Sequence, residues 1–225
     1  MARRAVDLNA DVGEGFDADR ELLGIVTSAN VACGFHAGDV ETIRAACDAA
    51  VGVAIGAHVS YRDREGFGRR ELGVDAATIE AEAVEQVALL QEISGGRVSY
   101  VKPHGALYHR ASRDDACAAA LVAAAAPLAV LGFPGSRLLA HARDAGLLAV
   151  AEGFADRGYA ADGSLLARGR PGALLDEEAA ALQAVALAPD VGSLCIHSDT
   201  PGAGLLARRV RDALQAAGIE LRAFA

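Results

Sequence analysis

Seven short runs rich in β-branched and small apolar residues alternate with Ala-, Leu- and Glu-rich segments of helical period, and this alternation constrains the fold more than any other feature. Strand and helix in regular succession is the pattern of parallel βα units. The strand candidates are Val6–Ala10, Ala29–Cys33, Val53–Ala57, Val98–Val101, Leu128–Phe133, Leu147–Ala151 and Ser193–Ile196. Most lack an in/out alternation of polar and apolar residues, as expected of strands covered on both faces. Helices are expected over Asp19–Val26, Val40–Ala50, Asp114–Ala125, Arg137–Ala145, Glu177–Leu187 and Leu205–Ala217, with a further long helix capped by Asp75 and stopped by Gly95-Gly96. Asp39 reads as the cap of the second helix and Gly146 as the stop of the fifth. An eighth strand is available at Ile219–Ala223. No repeat or Pro/Ser-rich linker interrupts the succession, so residues 1–225 are expected to form a single domain.

Such units build either an open doubly wound sheet or a closed barrel, and the polar residues decide between them. An open sheet gathers its ligand residues at one switch point, whereas a barrel can aim every strand end at a central site. Here nearly every strand ends in a polar cluster: Asn9 and Asp11, then His36, His58, Lys102 with His104, Asp156-Arg157, and His197 with Asp199. The expectation is a TIM-like (β/α) barrel, seven-stranded unless Ile219–Ala223 joins the ring.

Composition removes several classes of function. The formal charge is −9, from 30 acidic and 21 basic residues, with no basic tract and 4% aromatics, so nucleic acid has no evident platform. No apolar run is long enough to cross a bilayer, and Met1-Ala2-Arg3-Arg4 leads into a strand instead of a signal-peptide core, giving the expectation of a cytoplasmic protein without a membrane partner. Cys33, Cys47, Cys117 and Cys195 lack CxxC spacing and lie in apolar segments, where buried reduced thiols are expected.

Four of the six histidines, His36, His58, His104 and His197, fall at or just past the carboxyl end of a strand candidate. In a barrel they converge with Asp11, supplying the elements of a metal site or of general acid–base chemistry. His109 and His141 are expected on the surface. Lys102 stands out because the other 20 basic residues are all Arg. A compact ammonium can enter a small pocket and neutralise a developing oxyanion, which a guanidinium does poorly. Asp7, Asn9 and Asp11 share one face of the first strand through its period of two. The loop Gly34–Asp39 could seat an anion or be an ordinary tight turn; its spacing matches neither GxGxxG nor GxxxxGK[ST]. The charged stretch Arg62–Arg70 reads equally as a solvated loop or a lid.

Several strings, in order, resemble the LamB/YcsF family of bacterial ATP-dependent 5-oxoprolinase A subunits. They are Asp7–Gly15 (DLNADVGEG), Ser28–Asp39 (SANVACGFHAGD), Ala54–His58 (AIGAH), Asp63–Arg70 (DREGFGRR), Val101–Tyr108 (VKPHGALY), Phe154–Tyr159 (FADRGY) and Pro171–Leu174 (PGAL). Three features depart from the family pattern: Val59 stands where Pro is usual, Ser198 where Gly is usual, and the stretch from Ala188 to Cys195 is compressed. The His and Lys positions are intact.

The resemblance implies a seven-stranded barrel of the glycoside hydrolase/deacetylase type. It further implies hydrolysis of 5-oxo-L-proline to L-glutamate coupled to ATP hydrolysis, with ATP as co-substrate and subunits B and C as partners; self-association is also compatible with the sequence. On that reading Asp11, Lys102 and His104 are the expected catalytic residues, and Asn9, His36, His58, Asp156, Arg157 and His197 the expected substrate-binding ones. Two alternatives remain open: a stand-alone metal-dependent amide, lactam or deacetylase enzyme with Asp11, His36 and His58 as candidate ligands of a divalent ion, and a non-catalytic binder of small acids.

Overall fold

The computed structural model describes residues 5–225. The strands are β1 (Ala5–Val12), β2 (Ser28–Ala32), β3 (Ala54–Val59), β4 (Val98–Pro103), β5 (Ala129–Gly132), β6 (Ala149–Phe154), β7 (Ser193–Ile196) and β8 (Glu220–Leu221). Between them lie α1 (Asp19–Leu23), α2 (Val40–Ala49), α3 (Ala76–Ser94), α4 (Gly105–Ala111), α5 (Asp115–Ala125), α6 (Arg137–Asp144), α7 (Glu177–Leu187) and α8 (Ala203–Ala216). Strands β1 to β7 pair in sequence order, all parallel, and β7 returns to β1 through Asp7↔Ser193 to Ala10↔Ile196, closing a seven-stranded ring. The candidate eighth strand does form at Glu220–Leu221, but outside the ring. Among the described residues it pairs with Ala5 and Val6, which extend below the reach of β7.

Helix starts follow the expected chemistry. The Asp39 and Asp75 carboxylates each accept the backbone N–H of the residue three further on, at 2.8 Å. Gly95 ends α3 in the left-handed conformation, φ +68°. Helix α4 was not anticipated. It is 7 residues long and begins directly after His104, so its amide end faces the strand ends.

Alternation on the strands divides the molecule into two environments. Outward residues such as Leu8, Ala10, Val31, Ala57, Val101, Leu194 and Ile196 join the apolar layer under the helices. The interior is mixed. Near the amino ends of the strands it is plugged by Tyr100, Ala129, Leu131 and Val150, against which Ala54 and Phe224 pack. Above that plug the bore is polar: Asp7, Asn9, Asp11, Ser28, Asn30, Lys102, Glu152 and Ser193 are all buried and hydrogen-bonded to one another.

Gly56 makes room for this arrangement. A Cβ there would lie 2.1 Å from the Tyr100 ring, and that ring crosses the bore so that its hydroxyl donates to Asn30 Oδ1 at 2.7 Å. Overpacking of this kind costs about 1–3 kcal/mol. Gly56→Ala is expected to lower the melting temperature by several degrees, at about 2–4 °C per kcal/mol for a chain of this size, and Tyr100→Leu in the same chain is expected to recover part of the loss. Thermal denaturation of the three proteins checks this.

Candidate active site

The floor of the site is Lys102, whose β4 position points its side chain into the closed bore, where it is 2% exposed. Its Nζ lies 2.8 Å from Glu152 Oε1, 3.1 Å from Asp11 Oδ1, 3.4 Å from Asn9 Oδ1 and 3.0 Å from Cys195 Sγ. Burial alone drives an ammonium toward its neutral form. Here that push is outweighed, chiefly by Asp11 with Glu152, and the Lys102 pKa stands well above the usual 10.5. The same contacts act on Asp11. Burial opposes its charge, yet His58 and Lys102 hold its carboxyl well below the usual range. Burial pushes the Cys195 thiol well up despite the nearby ammonium, so Cys195 serves as a neutral neighbour and the two acids supply the counter-charge. Glu152 is itself braced by the Asn9 amide at 3.1 Å and the Tyr108 hydroxyl at 3.0 Å.

Beside Asp11, at the carboxyl ends of β1 to β4, three imidazoles surround one carboxylate. Glu14 Oε1 lies 3.0 Å from His36 Nε2, 4.0 Å from His58 Nε2 and 3.7 Å from His104 Nδ1, and the His36 and His104 rings stack at 3.9 Å. Burial, then the neighbouring imidazoles, pushes His36 and His104 well below the usual 6.5. Burial raises Glu14. These four residues form a group that could hold a metal ion; Asp11, Cys195 and His197 form a second. Glu14 reaches His36 because the loops after β1 and β2 are pressed together. A Cβ on Gly38 would sit 2.6 Å from the Gly13 carbonyl oxygen.

On the opposite wall, His197 follows β7 and is oriented by Asp156, which follows β6. Asp156 accepts from His197 Nδ1 at 3.0 Å, from its backbone N–H at 3.1 Å and from the Thr200 hydroxyl at 2.8 Å. Burial disfavours the imidazolium, but Asp156 outweighs it and raises the His197 pKa. His197 Nε2 is left facing Asp11 Oδ2 at 3.9 Å. Above these groups opens a cavity of about 490 Å³, with Asp11, Lys102, His58, His104 and His197 at its base and Tyr108, Phe154 and Leu165 as apolar wall. Arg69, Arg157 and Arg168 line it as well. Arg69 and Arg168 share Asp199, at 2.5 and 3.1 Å, so loops after β3, β6 and β7 meet over the site.

The structure thus gathers Asp11, His36, His58, Lys102, His104, Asp156 and His197 at one end of the barrel. Asn9 lies lower, with its amide spent on Glu152, Ser193 and Asn30, so it braces the floor instead of facing the cavity. Arg157 lines the cavity, but its guanidinium donates to the carbonyls of Leu166 and Ala173. Asp11 is not among the four residues that enclose the His36–His58 pair; Glu14 and His104 are. The sequence reading gave no role to Glu14, Glu152, Tyr108 or Cys195. The signal for Glu152 was a carboxylate in an otherwise apolar strand. For Glu14 it was Gly13, whose φ of +73° turns the chain back over Asp11. His109 is exposed and His141 half-buried.

The LamB/YcsF family model matches residues 6–225. The chain belongs to the LamB/YcsF family. Among curated relatives, proteins named as the A subunit of 5-oxoprolinase from Streptomyces griseus and Streptomyces coelicolor are 53% and 49% identical, each alignment covering 98% of this chain and 100% of the relative. The crystal structure of a lactam utilization protein from Thermus thermophilus is 39% identical and superposes with a TM-score of 0.88, covering 98% of this chain and 100% of that one. A family 4 carbohydrate esterase from Streptomyces lividans, 13% identical with a TM-score of 0.57 over 98% of this chain and 93% of its own, shares the barrel fold. Among the described residues of this LamB/YcsF chain, no helix is long and apolar enough to cross a membrane.

Two outcomes follow from these electrostatics. Removing one member of a buried ion pair strands the other, at about 3–5 kcal/mol. Lys102→Met is therefore expected to destabilise the fold by that order in denaturant titrations, and Lys102→Met with Glu152→Gln by less than the sum of the single changes. Because the folded pKa of His197 is raised, the stability contributed by its pairing with Asp156 is complete below pH about 6.5. It is lost as pH rises through the folded value. Melting temperature measured across that window is expected to fall more steeply for the wild type than for His197→Gln.

Proposed function

We propose that this chain is the lactam-handling subunit of an ATP-dependent 5-oxoprolinase, working with subunits B and C in the cytoplasm. The reading is carried by the name of a relative 53% identical over its full length, the A subunit of 5-oxoprolinase. The cavity's chemistry suits that substrate. 5-Oxoproline is a small apolar ring bearing an amide and a carboxylate. The wall of Phe154, Leu165 and Tyr108 fits the ring, and Arg69 and Arg168, which share Asp199, offer the carboxylate a charged partner.

An unstrained lactam is a poor electrophile, and ATP coupling answers this. Transfer of a phosphoryl group to the lactam oxygen gives an imidate, to whose carbon water adds. Cleavage of the carbon–nitrogen bond, with a proton delivered to nitrogen, opens the ring to an acyl phosphate. A second water releases phosphate and leaves glutamate. Over the whole sequence one ATP and two waters are consumed, and ADP, phosphate and glutamate are formed. His197, aligned by Asp156, is the group placed to take a proton from water and return one to nitrogen. Lys102 fixes a positive charge beneath the reacting carbon, whose oxygen takes up the developing negative charge. His104 has its Nε2–H on the Phe67 carbonyl and its Nδ1 on His58, so this mechanism gives the oxyanion role to Lys102 alone.

The test is reconstitution: glutamate and ADP are measured from 5-oxoproline and ATP with this chain and subunits B and C, omitting each in turn. Turnover that requires all three proteins and ATP is expected, with His197→Gln lowering kcat by about 10²–10⁴-fold. ATP-independent turnover by this chain alone would replace the proposal with a stand-alone lactam hydrolase.

A further inference from the structure

The proton positions on the three clustered imidazoles follow from their outer partners. His58 Nδ1 faces the Lys102 carbonyl at 3.1 Å, and His104 Nε2 faces the Phe67 carbonyl at 2.9 Å. A carbonyl only accepts, so each of these nitrogens carries its N–H outward. His36 Nδ1 faces Ser60 Oγ at 2.9 Å, and that hydroxyl spends its own proton on the Tyr61 carbonyl at 3.1 Å, so His36 Nδ1 donates as well. When these rings are neutral, the inner nitrogens, His36 Nε2, His58 Nε2 and His104 Nδ1, are therefore left with lone pairs. They point at one another and at a carboxylate oxygen of Glu14. In that state His58 Nε2 and His104 Nδ1 stand 3.0 Å apart with no ring proton between them, and His36 Nε2 stands 3.0 Å from Glu14 Oε1.

Three lone pairs and a carboxylate oxygen that converge in this way repel one another unless a proton or a metal ion lies among them. Their side chains are nearly solvent-free, at most 7% exposed, so water does not screen the repulsion. The spacing fits a metal. Ligand bonds of 2.0–2.1 Å in a tetrahedron put donor atoms ~3.4 Å apart, and the separations here, 3.0, 3.0, 3.7 and 4.0 Å, straddle that edge. Outward N–H groups held by carbonyl or hydroxyl oxygens are also how ligating histidines are fixed in one tautomer. One of those oxygens has a conformational cost. Phe67 supplies it from φ +53°, a left-handed conformation unfavourable for an aromatic residue.

We propose that Glu14, His36, His58 and His104 bind one divalent transition-metal ion, with three imidazole nitrogens and one carboxylate oxygen as donors, a set suited to zinc. The proposal rests on this chain's own residues and is independent of the reaction assigned above. The ion would sit beside Asp11, whose Oδ2 lies 3.4 Å from His58 Nε2, and so would add fixed positive charge to the same end of the barrel.

Chelator-treated protein, shown to be folded by circular dichroism, is titrated with ZnCl₂ by calorimetry and with CoCl₂ by visible absorption. The expected result is one ion per chain, with a tetrahedral cobalt spectrum, and at least a hundredfold loss of affinity in Glu14→Gln and in His104→Gln. His109→Gln and His141→Gln are expected to bind as the wild type does. If the ligand variants fail to fold, Ser60→Ala, which removes only the partner of His36, is expected to weaken zinc binding about 10-fold or more. Folded protein that takes up no zinc or cobalt, ligand variants that bind as well as the wild type, or unaltered affinity in Ser60→Ala would overturn the assignment.

Discussion

A single buried ammonium organises this barrel. Lys102 stands inside a ring of seven strands with Asp11 and Glu152 on either side, and desolvation of three charges is tolerable only because each finds its partner within 3.1 Å. The rest of the interior extends that bargain. Asn9, Asn30, Tyr100 and Tyr108 satisfy the remaining lone pairs, Ser28 and Ser193 donate to the deeper Asp7, and Gly56 leaves the space through which Tyr100 reaches Asn30. A half-satisfied network in this setting would be worse than an apolar core.

This floor sets the chemistry above it. Asp11 is kept anionic by Lys102 and His58 and borders both flanks of the site, the Glu14–histidine cluster on one side and the His197–Asp156 pair on the other. The two flanks are tuned in opposite directions. Burial and mutual repulsion push His36 and His104 toward the neutral form, while Asp156 draws His197 toward the protonated one. Neighbouring imidazoles with opposed proton affinities, at the mouth of one cavity, are what a site needs if it is to hold ligands on one side and move protons on the other.

Much of this was legible in the sequence. The strand–helix alternation gave seven parallel units and the polar strand ends the closed ring, and β7 forms at Ser193–Ile196 despite the compressed stretch before it, with His197 in place and Ser198 Oγ 3.4 Å from Glu14 Oε2. The histidines and Lys102 were readable because their residue types carry chemistry and they recur at strand ends. What escaped was set by backbone turns and by contacts distant in sequence. Glu14 lies beyond the strand, where alternation no longer predicts direction. Glu152 fell one residue past the candidate strand Leu147–Ala151, which the structure shifts to Ala149–Phe154. The orientation of His197 by Asp156 depends on β6 and β7 being neighbours in the ring, which spacing along the chain cannot express.

Because Lys102 is the only lysine, the central claim can be read from one signal. Protein labelled with ¹⁵N at the lysine side chain gives one Nζ resonance, which can be followed by NMR from neutral to strongly alkaline pH. A charge held between Asp11 and Glu152 predicts an ammonium shift with slowly exchanging protons that persists well past pH 10.5, the ordinary lysine value, up to the pH at which the protein unfolds. Titration at or below that value in the folded protein would show an uncharged or solvent-exposed amine, and would contradict the account of the barrel floor.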